Sequence, residues 1–599
     1  MDFFYKIKEK LLEWFSKSEI SQEPLHLLLA VVTGIFAAFG AIVFYKMIVV
    51  VEELLFHAPA GLFGVSNLVD LNGWQRYLII PLIPALGGLV VGWITIKLAA
   101  DVRGEGVPMV IDGVAKKGGI LSPFVGIKQL ITSAISIGSG GAGGREGPSI
   151  AIGGTAGSIV GQVFRLNEEQ TKSLVGCGAA AGLAAVFNAP IGGALFAMEV
   201  VLGSLNMQSF SPIIISSVFG TFLTRSILGN KPIFVIPTFS LRSSWELLFY
   251  VILGIGAGFV GIFFVKLFYA TEGFFDNEKF PIKSHIWKPA LGGLMVGIIG
   301  IYLPGVFGYT YQAVSQSLYS RDSLLILAAL LLFKPIATSV TLGSGGAGGT
   351  LAPSLFIGAM AGGVFGSVIN FIAPHIAAPP GAYALIGMAA VTSAVVQAPL
   401  ASAILVFEMT DNYQAILPIL IAVVMATYVS RKYMAGSIYT VRLKLRGEIL
   451  DVYGRDVNIL RSINVLEVMK PQLIAASEST RLSDLIDMIP ESSTTVFPVI
   501  KHDGTLSGTI SYGDIRQALT DDAVKELLDI LVVKDILNPT KLSVQEDQDL
   551  SSAMKMMLDA GVPSVPVVRD GNQLAGMLYL TDATQAYEKK LLLSQIPTN

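Results

Sequence analysis

The chain is poor in charge, cysteine and histidine. Asp, Glu, Lys and Arg make up 14% of its 599 residues, where a soluble globular protein carries about a quarter. With 52% hydrophobic residues and a mean hydropathy of +0.65, this excludes a soluble enzyme and indicates a membrane protein. The lone cysteine, Cys177, rules out an intrachain disulfide or a cysteine metal cluster, and its Gly/Ala surroundings read as packing. His26, His57, His285, His375 and His502 are scattered without an HExxH, which removes the commonest intramembrane zinc protease reading, and no metal is expected. The first residues also lack the form of a secretory signal. MDFFYKIKEKLLEWFSKS interleaves Lys6, Lys8, Lys10 and Lys17 with Phe3, Phe4, Ile7, Leu11, Leu12, Trp14 and Phe15, which predicts an amphipathic helix over residues 1–22 on the membrane surface.

Charge is absent altogether from residues 173–198 and 335–407. Either stretch can cross a hydrocarbon core of about 30 Å, the second more than once. Of the 41 basic and 44 acidic residues, 14 and 22 fall in residues 446–599. The chain therefore has two solvents: a membrane domain over 23–445, a linker at 446–464 and a soluble tail over 465–599. An acidic tail argues against nucleic acid as a partner. Basic residues flank the apolar region at both ends, with Arg431, Lys432, Arg442, Lys444 and Arg446 at the second. The positive-inside rule then places both termini in the cytoplasm, with an even number of crossings.

What the membrane part has in abundance is glycine with proline, as in GEGVP (104–108), GSGGAGGREGP (138–148) and GSGGAGGTLAP (343–353). Such interruptions predict broken helices, whose freed backbone must be buried in protein or line a wet cavity. The segments also repeat. GSGGAGG recurs at an offset of 205, and Pro148, Ser149, Ile152, Gly153, Ala156 and Gly157 match Pro353, Ser354, Ile357, Gly358, Ala361 and Gly362. Downstream, NAPIGGALFAMEV (188–200) answers QAPLASAILVFEM (397–409) at offset 209, aligning Glu199 with Glu408. The membrane domain is thus a duplicated half-unit, parallel or inverted.

A helix that starts inside the membrane points unpaired N–H groups at whatever lies before it and attracts anions. Pro108, Pro148 and Pro353, each after a glycine-rich approach, fit the first helical position, and three such starts can converge on one small anion. A cation path would instead want carboxylates, which the charge-free stretches do not supply. Gly138, Gly140 and Gly143 satisfy GxGxxG, but without a βαβ setting they do not indicate a nucleotide site.

GREGP (Gly144 to Pro148), the GAAAGLAAVFNAP run (Gly178 to Pro190), GGTLAP (Gly348 to Pro353) and FEMTDNYQ (Phe407 to Gln414) together resemble the CLC family of chloride channels and proton-coupled chloride exchangers over about residues 25–445. The resemblance implies an all-α membrane domain of two inverted halves with broken helices, a homodimer with one pore per subunit, and anion sites made by helix N-termini. It assigns Glu146 as the gating glutamate and places anions on the segment from Glu105 through Gly106 and Val107, on Arg145, Glu146 and Gly147, on Thr350 and Leu351, and on the Tyr439 hydroxyl.

Two positions depart from the pattern. Glu105 stands where the family has a serine. Facing the anion it would repel chloride by about 4 kcal/mol at an effective dielectric near 20, so it is protonated, turned away toward Arg103, or part of the mechanism. Val200 occupies the place of the exchangers' inner proton glutamate and cannot carry a proton. It resembles the channel branch, although some exchangers also lack that glutamate.

The tail has its own repeat. FPVIKHDGTLSGTISYGDI (497–515) answers VPVVRDGNQLAGMLYLTDA (565–583) at offset 68, and alternating apolar residues around a DG turn predict strand, hairpin and strand. Both copies, 465–520 and 531–590, resemble CBS domains, a cytoplasmic α/β pair. Ser511 and Asp514 keep the ribose-binding pattern of nucleotide-binding pairs, but Tyr579 replaces the hydroxyl residue before Asp582. A dimerising or scaffolding tail is favoured over one that senses adenine nucleotide. The expected function is chloride transport gated by Glu146 in a lipid bilayer, with no enzyme activity and no required cofactor. A passive channel is favoured, the proton-coupled exchanger is the alternative, and a CBS-bearing divalent cation channel is the distant one.

Overall fold

The computed structural model describes residues 23–98, 106–445 and 460–594, apart from short breaks in connections and in the C-terminal region. The amphipathic helix expected over 1–22, most of the linker at 446–464, and Glu105 lie outside the described residues. The chain divides near residue 446 into two compact units.

The first unit is helical. Its first half runs α1 (Glu23–Glu52), α2 (Trp74–Leu98), α3 (Gly106–Lys116), α4 (Pro123–Gly138), α5 (Glu146–Val163), α6 (Glu168–Phe187), α7 (Pro190–Phe196) and α8 (Met207–Leu228). Its second half runs α9 (Glu246–Asp276), α10 (Trp287–Tyr302), α11 (Gln312–Leu318), α12 (Leu324–Gly343), α13 (Leu351–Ile372), α14 (Pro380–Val396), α15 (Pro399–Thr410) and α16 (Ile416–Tyr433), followed by α17 (Ile438–Leu445). Among the described residues, seven helices are long and apolar enough to cross a membrane, and shorter apolar helices lie between them. Local chemistry sets many of the ends. Pro123, Pro190, Pro380 and Pro399 open their helices, where a missing N–H is no loss. Asn188 (φ 54°) and Gln397 (φ 58°), repeat partners at offset 209, end α6 and α14 in the left-handed conformation. Pro148 and Pro353 sit third in α5 and α13 rather than first. The whole first turn lacks i−4 acceptors, so proline is tolerated there too.

The halves are related by a local two-fold, because equivalent residues touch each other reciprocally. Gly144 and Gly349 form an antiparallel bridge, with N–H···O distances of 2.8 and 2.7 Å. The Ala142 amide donates to Thr341 Oγ1 at 3.0 Å, and its equivalent Ala347 to Ser136 Oγ at 3.3 Å. A Cβ on Gly88 of α2 would meet the Pro289 carbonyl oxygen at 2.1 Å, and one on Gly293 of α10 the Pro84 carbonyl oxygen at 2.1 Å. These crossed contacts, 88 with 289 and 84 with 293, make α2 and α10 antiparallel. The open alternative, parallel or inverted, thus resolves to inverted.

The second unit contains two three-stranded sheets of the same order. β1 (Ala476–Ser477) runs parallel to β2 (Val496–Ile500), which pairs antiparallel with β3 (Leu506–Ser511); β4 (Val544–Gln545), β5 (Ser564–Arg569) and β6 (Gln573–Tyr579) repeat this. Both hairpins shift register at the same place, Val499/Ile500 and Val567/Val568. Each copy buries its own apolar cluster, one around Phe497, Val499 and Ile510 and the other around Val565, Val567 and Leu578.

Candidate anion-binding site

The site forms where three broken helices begin. The antiparallel Gly144–Gly349 bridge draws the starts of α5 and α13 together. α3 packs on α5 beside them: a Cβ on Gly106 would lie 2.8 Å from the Gly147 carbonyl oxygen. Gly106, Val107, Glu146, Gly147, Thr350 and Leu351 are all buried there. α17, which carries the buried Tyr439, packs on α3, and the Tyr439 ring stands edge-on to Phe196 at 6.4 Å. Backbone amides and glycines of these helix starts come together here, an arrangement that suits an anion.

Glu146 is fully buried, and its carboxylate reaches across to the other half. Oε1 accepts from the Ala352 amide at 2.7 Å, the Leu351 amide also donates toward the group, and Oε2 has no partner among the described residues. The carboxylate therefore rests on the first-turn N–H groups of α13. Arg145 does not form a close ion pair with it. Its guanidinium lies 5.5 Å from the Tyr45 ring and 5.0 Å from the Tyr311 ring.

Several supporting residues have no assigned role in the sequence reading. Lys334 of α12 is buried, with its ammonium donating to the Val306 carbonyl at 2.6 Å and lying 4.8 Å over the Phe356 ring. Its repeat partner at offset 205, Gln129, is buried in α4. Glu199 and Glu408 form a reciprocal clasp: Glu199 Oε2 accepts from the Ala401 amide at 2.9 Å, while Glu408 accepts from Ile191 and Gly192 at 3.1 and 2.7 Å. Each carboxylate thus caps the helix start of the opposite half. The sequence signal was the repeat itself, which aligns Glu199 with Glu408 and Gly192 with Ala401. Val200 is buried beside Glu199 in the π-helical turn that extends α7.

In the tail, Ser511 and Asp514 hold each other. Asp514 Oδ2 accepts from the Ser511 amide and hydroxyl, both at 2.7 Å. Asp582 pairs with Lys470 at 3.1 Å, and that ammonium lies 5.3 Å from the Tyr579 ring. Burial pushes the Tyr579 phenol above its ordinary value.

Comparison with known proteins agrees with this architecture. Residues 87–431 match the voltage gated chloride channel family, and residues 465–521 and 533–589 match CBS domains. Chloride channel protein CLC-f of Arabidopsis thaliana is 30% identical over 91% of this chain and 77% of its own length. The voltage-gated ClC-type chloride channel ClcB of Escherichia coli is 31% identical over 69% of this chain and 97% of its own. Among solved structures, a slow cyanobacterial Cl⁻/H⁺ antiporter superposes with a TM-score of 0.62 at 26% identity, covering 70% of this chain and 96% of that one. A eukaryotic CLC transporter shares the fold, with a TM-score of 0.60 at 20% identity over 94% of this chain and 98% of its own. By sequence, by its duplicated inverted halves and by its helix-start site, the chain belongs to the CLC family of chloride-transport membrane proteins, with a C-terminal CBS pair.

Proposed function

We propose that the chain is a passive chloride channel with Glu146 as its gate. The observation that carries this is the Glu146 carboxylate seated on the Ala352 amide at 2.7 Å. There it occupies, as a tethered anion, the helix start that a chloride would use, so the ion and the side chain compete for the same donors. Gly106, Val107, Arg145, Gly147, Thr350, Leu351 and Tyr439 are the anion-binding set, and Glu105 tunes it. Val200 supports the channel mode, since valine carries no proton, and its neighbour Glu199 is held by the Ala401 amide. The alternative remains a proton-coupled exchanger, a mode stated for the cyanobacterial structure.

The test is chloride efflux from proteoliposomes with external pH recorded together, with and without a proton ionophore. Efflux that needs only a potassium shunt and moves no protons is expected; uphill proton movement driven by a chloride gradient would make this an exchanger. Glu146→Ala should lift gating and raise efflux, and Glu105→Ser should change anion selectivity. Transport and selectivity unchanged in both variants would remove these residues from the pore.

For the tail we infer a dimerising or scaffolding role on the cytoplasmic side, in a homodimer whose two termini are both cytoplasmic. Ser511 and Asp514 satisfy one another, and Asp582 is paired to Lys470, which leaves a nucleotide less to recruit. Isothermal titration of the full chain with AMP and ATP is expected to show no saturable heat; a saturable response abolished by Asp514→Ala would assign nucleotide sensing instead.

A further inference from the structure

Within the anion-binding set, Tyr439 rides on α17, a helix of only eight residues that packs on α3 and α14. An isolated helix shorter than about 12–15 residues is marginal, so its surroundings must hold α17 in place. Two side chains from other helices bond to the backbone that leads into it. Tyr269 of α9 donates its hydroxyl to the carbonyl of Ile438, the residue before Tyr439. Gln397, the left-handed residue that ends α14, donates from Nε2 to the Met434 carbonyl at 3.2 Å, where α16 gives way to the turn. Gln397 is itself fixed, because its own carbonyl accepts from Arg431 at 2.9 Å. Beyond Met434 the chain closes on itself. The Ser437 amide donates to Thr440 Oγ1 at 2.8 Å, and the Val441 amide to the Ser437 carbonyl at 2.9 Å. The turn is thus short, internally bonded and pinned at Met434 and Ile438, with Ile438 and Tyr439 both buried. Asn188, the repeat partner of Gln397, accepts from Arg225 at 2.7 Å instead, so the reach to Met434 belongs to the half that precedes Tyr439.

We propose that Tyr269 and Gln397 are positioning residues for Tyr439, clamping residues 434–438 so that the Tyr439 hydroxyl is held ready for the anion. Fixing the hydroxyl before the ion arrives removes an ordering cost from binding, so the clamp raises chloride affinity rather than the maximal rate. The functional clause rests on the reading of Tyr439 as an anion ligand; the clamp itself does not.

The test uses the full chain with Tyr269→Phe, Gln397→Asn and Tyr439→Phe. Tyr269→Phe removes only the hydroxyl, and Gln397→Asn keeps a residue suited to the left-handed conformation while shortening its reach. Hydrogen exchange in detergent reads the clamp: amides of residues 436–441 should exchange at least tenfold faster in either clamp variant. Proteoliposome efflux over a range of loaded chloride reads the function. The half-saturating chloride concentration should rise at least threefold in each clamp variant, with the maximal rate not lowered. In a Tyr439→Phe background the same substitutions should leave half-saturation where Tyr439→Phe alone puts it, which a merely structural role would not do. Two clamp variants are made so that if one fails to elute as folded protein, the other decides. Wild-type exchange in the folded clamp variants would overturn the clamp. Faster exchange with half-saturation unchanged, while Tyr439→Phe alone shifts it, would overturn the positioning role, as would an equal further shift in the Tyr439→Phe background. Wild-type half-saturation in Tyr439→Phe alone would sink the anion-ligand reading, and the exchange rates would still decide the clamp.

Discussion

Gly144 shows how little room the proposed gate, the Glu146 carboxylate, has. A Cβ there would stand 2.1 Å from Glu146 Oε1, and one on Gly349 would stand 2.9 Å from the same atom. The carboxylate is the mobile partner in this clash, so Gly144→Ala should push it off the α13 amides without unfolding the helices. A backbone hydrogen bond to a charged group contributes about 1.5–3 kcal/mol, which corresponds to a shift in gate occupancy of roughly tenfold or more. Chloride efflux should therefore rise in Gly144→Ala and gain nothing further when Glu146→Ala is added. An additive gain in the double variant would show that the two residues act separately.

The helices α7 and α15 are short and are held by the Glu199–Glu408 clasp rather than by length. Replacing either glutamate by alanine leaves amides at the opposite helix start without their acceptor, at about 1–3 kcal/mol each. Thermal unfolding in detergent should therefore show a lowered midpoint for both variants. A wild-type midpoint in either would mean that its helix start is satisfied without the clasp. In the tail, Ser507 donates to Glu478, and this bond, with Lys534 beside it, holds the Glu478 carboxyl below the ordinary carboxylate range. A depressed carboxyl stabilises the folded form above its unfolded value, and that contribution is lost as pH falls through the folded value. Ser507→Ala should thus lower tail stability slightly at neutral pH and have no effect in strong acid. Hydrogen-exchange protection of β3 in the full chain, followed across that range, checks the sign.

At the scale of the molecule, antiparallel α2 and α10 place Trp74 and Trp287, each at a helix start and exposed, at opposite ends of the packed pair. In a Cys177→Ser background, Trp74→Cys and Trp287→Cys should react with an impermeant maleimide from opposite sides of the bilayer; labelling from the same side would refute the inverted arrangement. The amino-acid sequence by itself determined the two solvents, the duplication, the glycine and proline breaks and the paired hairpins of the tail. Each of these is local: composition, spacing and turn chemistry are read within a few residues, and a repeat is read by sliding the chain along itself. The GSGGAGG repeat, for instance, is legible whether its copies lie parallel or inverted. Only the tertiary structure decided between those, because orientation depends on which surfaces meet, as Gly88 with Pro289 and Gly293 with Pro84. It also decided that Glu146 meets Ala352, that Glu199 and Glu408 exchange caps, and that Lys334 is buried against carbonyls. Those partners lie between 28 and 217 residues apart along the chain, and hydrogen-bond complementarity over such spans arises only once packing has brought the helix starts together.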